Sequence, residues 1–82
     1  MKIVELRRLL RPGLQLRLVR SLLGACNKLR TVVKVRSRDI VFRTEEGNLS
    51  YCQLPKRDQL VETERGFRFL EDGEISVEYE YV

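Results

Sequence analysis

Histidine and tryptophan are absent from this chain, and proline occurs only twice in 82 residues. Without histidine the sequence lacks the commonest general base near neutral pH and the commonest metal ligand. Cys26, Cys52, Ser21, Ser37, Ser50 and Ser76 therefore have no imidazole to activate them, which excludes Cys-His and Ser-His nucleophiles. Gly13, Gly47 and Gly73 stand singly at turns, and no glycine-rich loop of the phosphate-cradling kind is present. Acidic pairs such as Glu45-Glu46 and Glu71-Asp72 fall in turn segments, where water solvates them. The sequence thus predicts no enzyme, no catalytic residue, no metal site and no cofactor. No apolar stretch approaches the ~20 residues that span a bilayer. Arg7, Arg8 and Arg11 interrupt the apolar character of the N-terminus, which does not read as a signal peptide. The expectation is a cytoplasmic protein with no membrane partner, in which Cys26 and Cys52 are free thiols.

Acids are the other scarcity, and only in one half. Residues 1–44 hold 12 Lys and Arg against two acids, Glu5 and Asp39, a net of +10. Residues 45–82 hold four basic residues against 10 acids, a net of −6. The overall charge of +4 conceals this division. Either the fold brings the halves together and the charges cancel, or it holds them apart and presents a basic face.

The length allows one domain with a small core, a size at which a homodimer or a partner can complete the fold. A hydrophobic fraction of 43% beside 34% charged residues is that of a globular chain, not a disordered one.

Ile3, Leu6 and Leu10 recur at helical spacing, with Arg7, Arg8 and Arg11 on the other side, so residues 1–12 predict a short amphipathic helix that Pro12-Gly13 stops. Residues 13–82 then read as strands. Leu14, Leu16 and Leu18 alternate with polar neighbours, whereas residues 20–28 lose the pattern and read as a loop. Residues 29–54 read as a three-stranded antiparallel meander, turning at Ser37-Arg38-Asp39 and at Glu45-Glu46-Gly47-Asn48. In its first strand Leu29, Thr31, Val33 and Val35 face one way, and Arg30, Val32, Lys34 and Arg36 the other. Residues 56–65 read as a loop or a single helical turn. Residues 66–70 and 75–81 form a last hairpin about Asp72-Gly73, with Ile75, Val77, Tyr79 and Tyr81 alternating against Ser76, Glu78 and Glu80. The whole predicts a single, mainly β domain with an α+β margin. It has one helix and about six antiparallel strands, in a small SH3-like or OB-like barrel or a strongly bent sheet.

Two binding surfaces are candidates. Arg30, Lys34 and Arg36 line one strand, with Arg38 in the adjacent turn, Arg43 on the next strand and Arg17 joining from the first. Arginine outnumbers lysine 12 to four, and its planar fork suits phosphate. Phe42, Tyr51 and Phe67 are the aromatics available for stacking, though alternation turns Phe42 inward with Ile40. This constellation points to nucleic acid. The rival is an acidic C-terminal surface built from Glu78, Tyr79, Glu80 and Tyr81, with Glu45, Glu46, Glu71, Asp72 and Glu74 nearby. It would dock on a basic host protein or mimic nucleic acid, or add a partner strand to an exposed C-terminal edge. A third account needs no partner: if the last strand lies beside the basic one, Lys34 and Arg36 pair with Glu78 and Glu80 across the sheet.

The run Arg30-Thr31-Val32-Val33-Lys34-Val35-Arg36-Ser37 through Phe42, with Glu46-Gly47, Ser50-Tyr51, Pro55-Lys56, Gly66-Phe67 and Asp72-Gly73, resembles small uncharacterised proteins of bacterial phages and other mobile elements. The resemblance spans about residues 13–81. It implies a small β domain from that context, where transcription regulators and inhibitors of host defence occur, and it carries no active site.

Overall fold

The computed structural model describes residues 1–82. One short helix, α1 (Ile3–Leu9), precedes seven strands: β1 (Gln15–Ser21), β2 (Gly24–Val35), β3 (Asp39–Thr44), β4 (Leu49–Gln53), β5 (Leu60–Glu62), β6 (Gly66–Glu71) and β7 (Glu74–Tyr81). A single 3-10 turn, Arg57–Gln59, leads into β5. All seven strands pair antiparallel in one sheet of order β4-β3-β2-β1-β7-β6-β5.

The sheet is curled but not closed, with β4 and β5 as its two edges. Its curl follows from one distance. Phe42 on β3 and Tyr79 on β7 are three strand spacings apart, roughly 14 Å in a flat sheet. Their ring centroids are 5.4 Å apart. The two halves of the sheet therefore face each other across a shared core of Leu16, Leu18, Val32, Ile40, Phe42, Leu60, Phe67, Phe69 and Tyr79. Leu6 and Leu10 of the helix segment complete that core, while Arg7, Arg8 and Arg11 remain exposed as their spacing requires. Arg7 also fastens the helix, donating from its guanidinium to the carbonyls of Arg36 at 3.2 Å and Ser37 at 2.9 Å.

The structure departs from the sequence pattern in four places. Residues 20–28 are not a loop: β1 and β2 form a hairpin whose tip is Leu22-Leu23, with Gly24 at φ 111°. Two leucines where turn chemistry favours Asn, Asp or Gly hide this turn, and Leu23 is fully exposed. A register shift between Leu18 and Arg20 also breaks the alternation there. A second irregularity falls between Val32 and Lys34. It inserts an extra residue, so Val32 faces the core and Lys34 faces solvent although they are two apart. Third, residues 60–62 form the short strand β5 against β6, making seven strands where about six were expected. Finally, the C-terminal strand is not an edge, because β7 is flanked on both sides by β1 and β6.

The last hairpin forms as Asp72-Gly73 predicts. Both residues take positive φ, 52° and 83°, as a turn matching the strand twist requires. Gly66, where β6 begins, is needed for a different reason. A Cβ there would run into the carbonyl oxygen of Tyr79 and lie 2.9 Å from Cα of Glu80 on the neighbouring strand.

Candidate functional site: the outer face of strands β1 to β4

Strand pairing assigns each candidate side chain to a face, since cross-strand partners share one. Leu16 is fully buried, so its partner Arg30 lies on the inner face, and Thr44 opposite Arg30 does too. Arg30 is half-buried there and donates to the carbonyl of Leu29 at 3.2 Å. It does not belong to the same surface as Lys34 and Arg36.

The outer face brings together the other members. Arg17 pairs with Leu29, Thr31 with Arg43, Lys34 with Val41, and Val41 with Tyr51. Lys34, Arg36, Arg43 and Tyr51 are all exposed, Tyr51 at 58%. Val41 is on this face yet only 2% exposed, flanked by Lys34 on one strand and Tyr51 on the other. The Arg36 guanidinium stands 5.3 Å from the centre of the Tyr51 ring, a cation–π distance. The same guanidinium forks onto Asp39, Nε to Oδ1 and Nη2 to Oδ2, each at 2.6 Å. That bond holds the Asp39 carboxyl below its ordinary range and raises Arg36. Asp39 is the acid beside Arg36 and Tyr51, while Arg17, further along, has Glu80 as its cross-strand neighbour and Glu45 bound to the Leu29 amide opposite it. Arg43 donates to the carbonyl of Gly47 at 3.1 Å, and Arg17 to Oδ1 of Asn27 at 2.8 Å, which orients both guanidinium groups and leaves further donors on each. Arg38 is exposed in the β2–β3 turn.

Sequence pattern alone placed Arg30 with this group and Lys34 on the same side as Val32. The bulge at Val33 separates them. A signal was present in Val32-Val33 followed by Val35: three β-branched residues that no strict alternation can bury on one side.

The acidic strand is arranged differently from either reading of it. Glu78 and Glu80 point outward, Tyr79 is 3% exposed within the aromatic core, and Tyr81 packs edge-on against Phe67. The four residues therefore do not make one surface. Glu80 lies opposite Arg17, and Glu78 lies between Arg20 on β1 and Arg68 on β6, meeting Arg68 Nε at 3.1 Å. Cross-strand charge complementarity is thus real for β7, but its partners are Arg17, Arg20 and Arg68. Lys34 on β2 and Arg36 just after it are two strands away from β7, with β1 between.

Cys26 and Cys52 are both free. Burial pushes the Cys52 thiol up, and the nearby Tyr79 hydroxyl opposes that shift. No helix in the structure is long and apolar enough to cross a membrane. Compared with known proteins, the chain matches no family model, no curated protein and no solved structure.

Proposed function

We propose that this domain binds nucleic acid through the outer face of β1 to β4, as a non-catalytic accessory in the phage or mobile-element setting its sequence resembles. The observation that carries this reading is that Lys34 and Arg43 share one face with the exposed ring of Tyr51, while Arg36, bound to Asp39, is held against that ring. Cations track a phosphate backbone, and an exposed aromatic offers a stacking platform to an unpaired base. Arg36 has a double part, since its bond to Asp39 holds the guanidinium beside the ring. Arg38 extends the basic surface beyond the β2–β3 turn. Arg30, on the inner face, is not a contact in this reading.

Fluorescence anisotropy with short single- and double-stranded DNA and RNA across a salt series tests it. Binding should weaken linearly in log salt, with a slope of about −0.9 per phosphate neutralised on duplex DNA. Lys34→Glu with Arg43→Glu should abolish binding while circular dichroism stays native. Tyr51→Ala should weaken single-strand binding by about 1–3 kcal/mol, the usual worth of one stacked base. Absence of binding at low salt, or binding unchanged by the double reversal, refutes the assignment.

A further inference from the structure

The edge strand β4 lacks the devices that normally protect an edge. It carries no charge and no proline, its pairing with β3 is unbroken in register, and Leu49 and Tyr51 are exposed. Its free hydrogen-bonding groups can be assigned. The Thr44 amide donates to the Asn48 carbonyl and the Leu54 amide to the Arg38 carbonyl, each at 2.8 Å. Even-numbered residues of this stretch therefore bond to β3. By alternation, the N–H and C=O groups of Leu49, Tyr51 and Gln53 point away from the sheet.

We propose that β4 pairs antiparallel with β4 of a second copy of this chain, about a two-fold axis through Tyr51. In that register Tyr51 faces itself, Leu49 faces Gln53 of the second copy, and Ser50 faces Cys52. The outward groups of the three odd residues match, giving about six backbone hydrogen bonds. The flanking charges select this partner and this direction. Glu45-Glu46 precede the strand and Lys56-Arg57 follow it. Antiparallel pairing sets the acidic turn Glu45-Glu46 at one end of β4 near the Lys56-Arg57 segment of the second copy, twice by symmetry, whereas parallel pairing would set like against like. Glu45 is already engaged by the Leu29 amide at 2.9 Å, so Glu46 and Lys56 are the pair to test. The basic groups of the two copies do not oppose assembly. Arg43 lies one strand in, which separates it from its counterpart by at least roughly 14 Å, beyond the screening length of about 8 Å. Arg36, nearer the axis, is neutralised by Asp39. The dimer would join two basic outer faces edge to edge, but its formation does not depend on nucleic acid, and either proposal can fail alone.

Two five-residue strands bury little surface, so the association should be weak, with a dissociation constant of about micromolar or above. Sedimentation velocity from about 1 μM to 1 mM should show the mass rising from monomer toward dimer. Glu46→Lys alone and Lys56→Glu alone should remain monomeric, because each sets like charges together. An equimolar mixture of the two should dimerise again. In the wild type, amide exchange at Leu49, Tyr51 and Gln53 should slow as concentration rises while that of Ser50 and Cys52 changes little, a readout that needs no variant. A wild type that is monomeric throughout overturns the proposal. So does a dimer in which these three amides gain no protection, or one that both charge variants form unchanged.

Discussion

Gly66→Ala tests the packing of the sheet at its tightest point. The added methyl group has no room, because the carbonyl oxygen of Tyr79 occupies its position and Glu80 Cα is 2.9 Å away. These are backbone atoms of an interior strand, so no side chain can rotate aside. Relief requires β6 to separate from β7. That movement strains the turn in which Thr63 donates to the Gly66 carbonyl at 2.9 Å and accepts from its amide at 3.0 Å, and the Tyr81 amide bond to Arg65 at 2.7 Å. It also disturbs Tyr79, whose ring touches those of Phe42, Phe67 and Phe69. Overpacking alone costs about 1–3 kcal/mol, and each weakened hydrogen bond adds about 1 kcal/mol. A total of about 3–4 kcal/mol is a large share of the stability of a domain this small, where 1 kcal/mol shifts Tm by roughly 4–8 °C. Thermal and urea unfolding should therefore show a loss of at least about 12 °C and a fall in midpoint concentration. Gly47→Ala is the comparison. Gly47 has φ 88° and open space around it, so its cost is conformational alone, about 1–2 kcal/mol. If Gly66→Ala unfolds within about 0.5 kcal/mol of wild type, or costs less than Gly47→Ala, the close approach of β6 to β7 is not as described.

Two further outcomes follow from burial. Leu6→Ala should cost about 2–5 kcal/mol in urea unfolding, because Leu6 is the fully buried point by which α1 joins the core, whereas Leu23→Asn at the exposed hairpin tip should change stability by less than about 0.5 kcal/mol. Burial first, and then the neighbouring Cys52, pushes the Tyr79 phenol well above its ordinary value of 10.0. An acid whose folded value is raised loses its contribution as pH climbs from the unfolded value toward the folded one, so stability should fall above about pH 10, and Tyr79→Phe should flatten that alkaline limb in pH-dependent unfolding.

Chain-local chemistry was legible from the residues. The Ile3, Leu6, Leu10 spacing specified a helix and its buried side, Pro12-Gly13 its end, and Asp72-Gly73 a turn with two positive φ angles. The meander over residues 29–54 followed from β-branched runs separated by turn residues. These features depend on neighbours within a few positions, which is the range over which periodicity and turn geometry act. Bulges do not have that character. The extra residue at Val33 exchanges the two faces of β2, and so decides that Lys34 and Arg36 join Tyr51 while Arg30 turns inward. The site was therefore half visible: its residue types and most of its members could be read, but not which of them share a surface.

Strand order lay wholly beyond the sequence. Placing β7 between β1 and β6 makes Arg17, Arg20 and Arg68 the partners of the acidic strand, and leaves the outer face of β2 and β3 with Lys34 and Arg43 beside no β7 carboxylate. The same order makes β4 an edge and removes β7 from one. Alternation specifies which side chains a strand buries. It says nothing about which strand supplies the neighbouring hydrogen bonds, because every strand offers the same backbone groups. Only the curl that encloses Phe42, Phe67 and Tyr79 in one core selects among the orders. The charge division belongs to the sequence, and its partial cancellation to the tertiary structure.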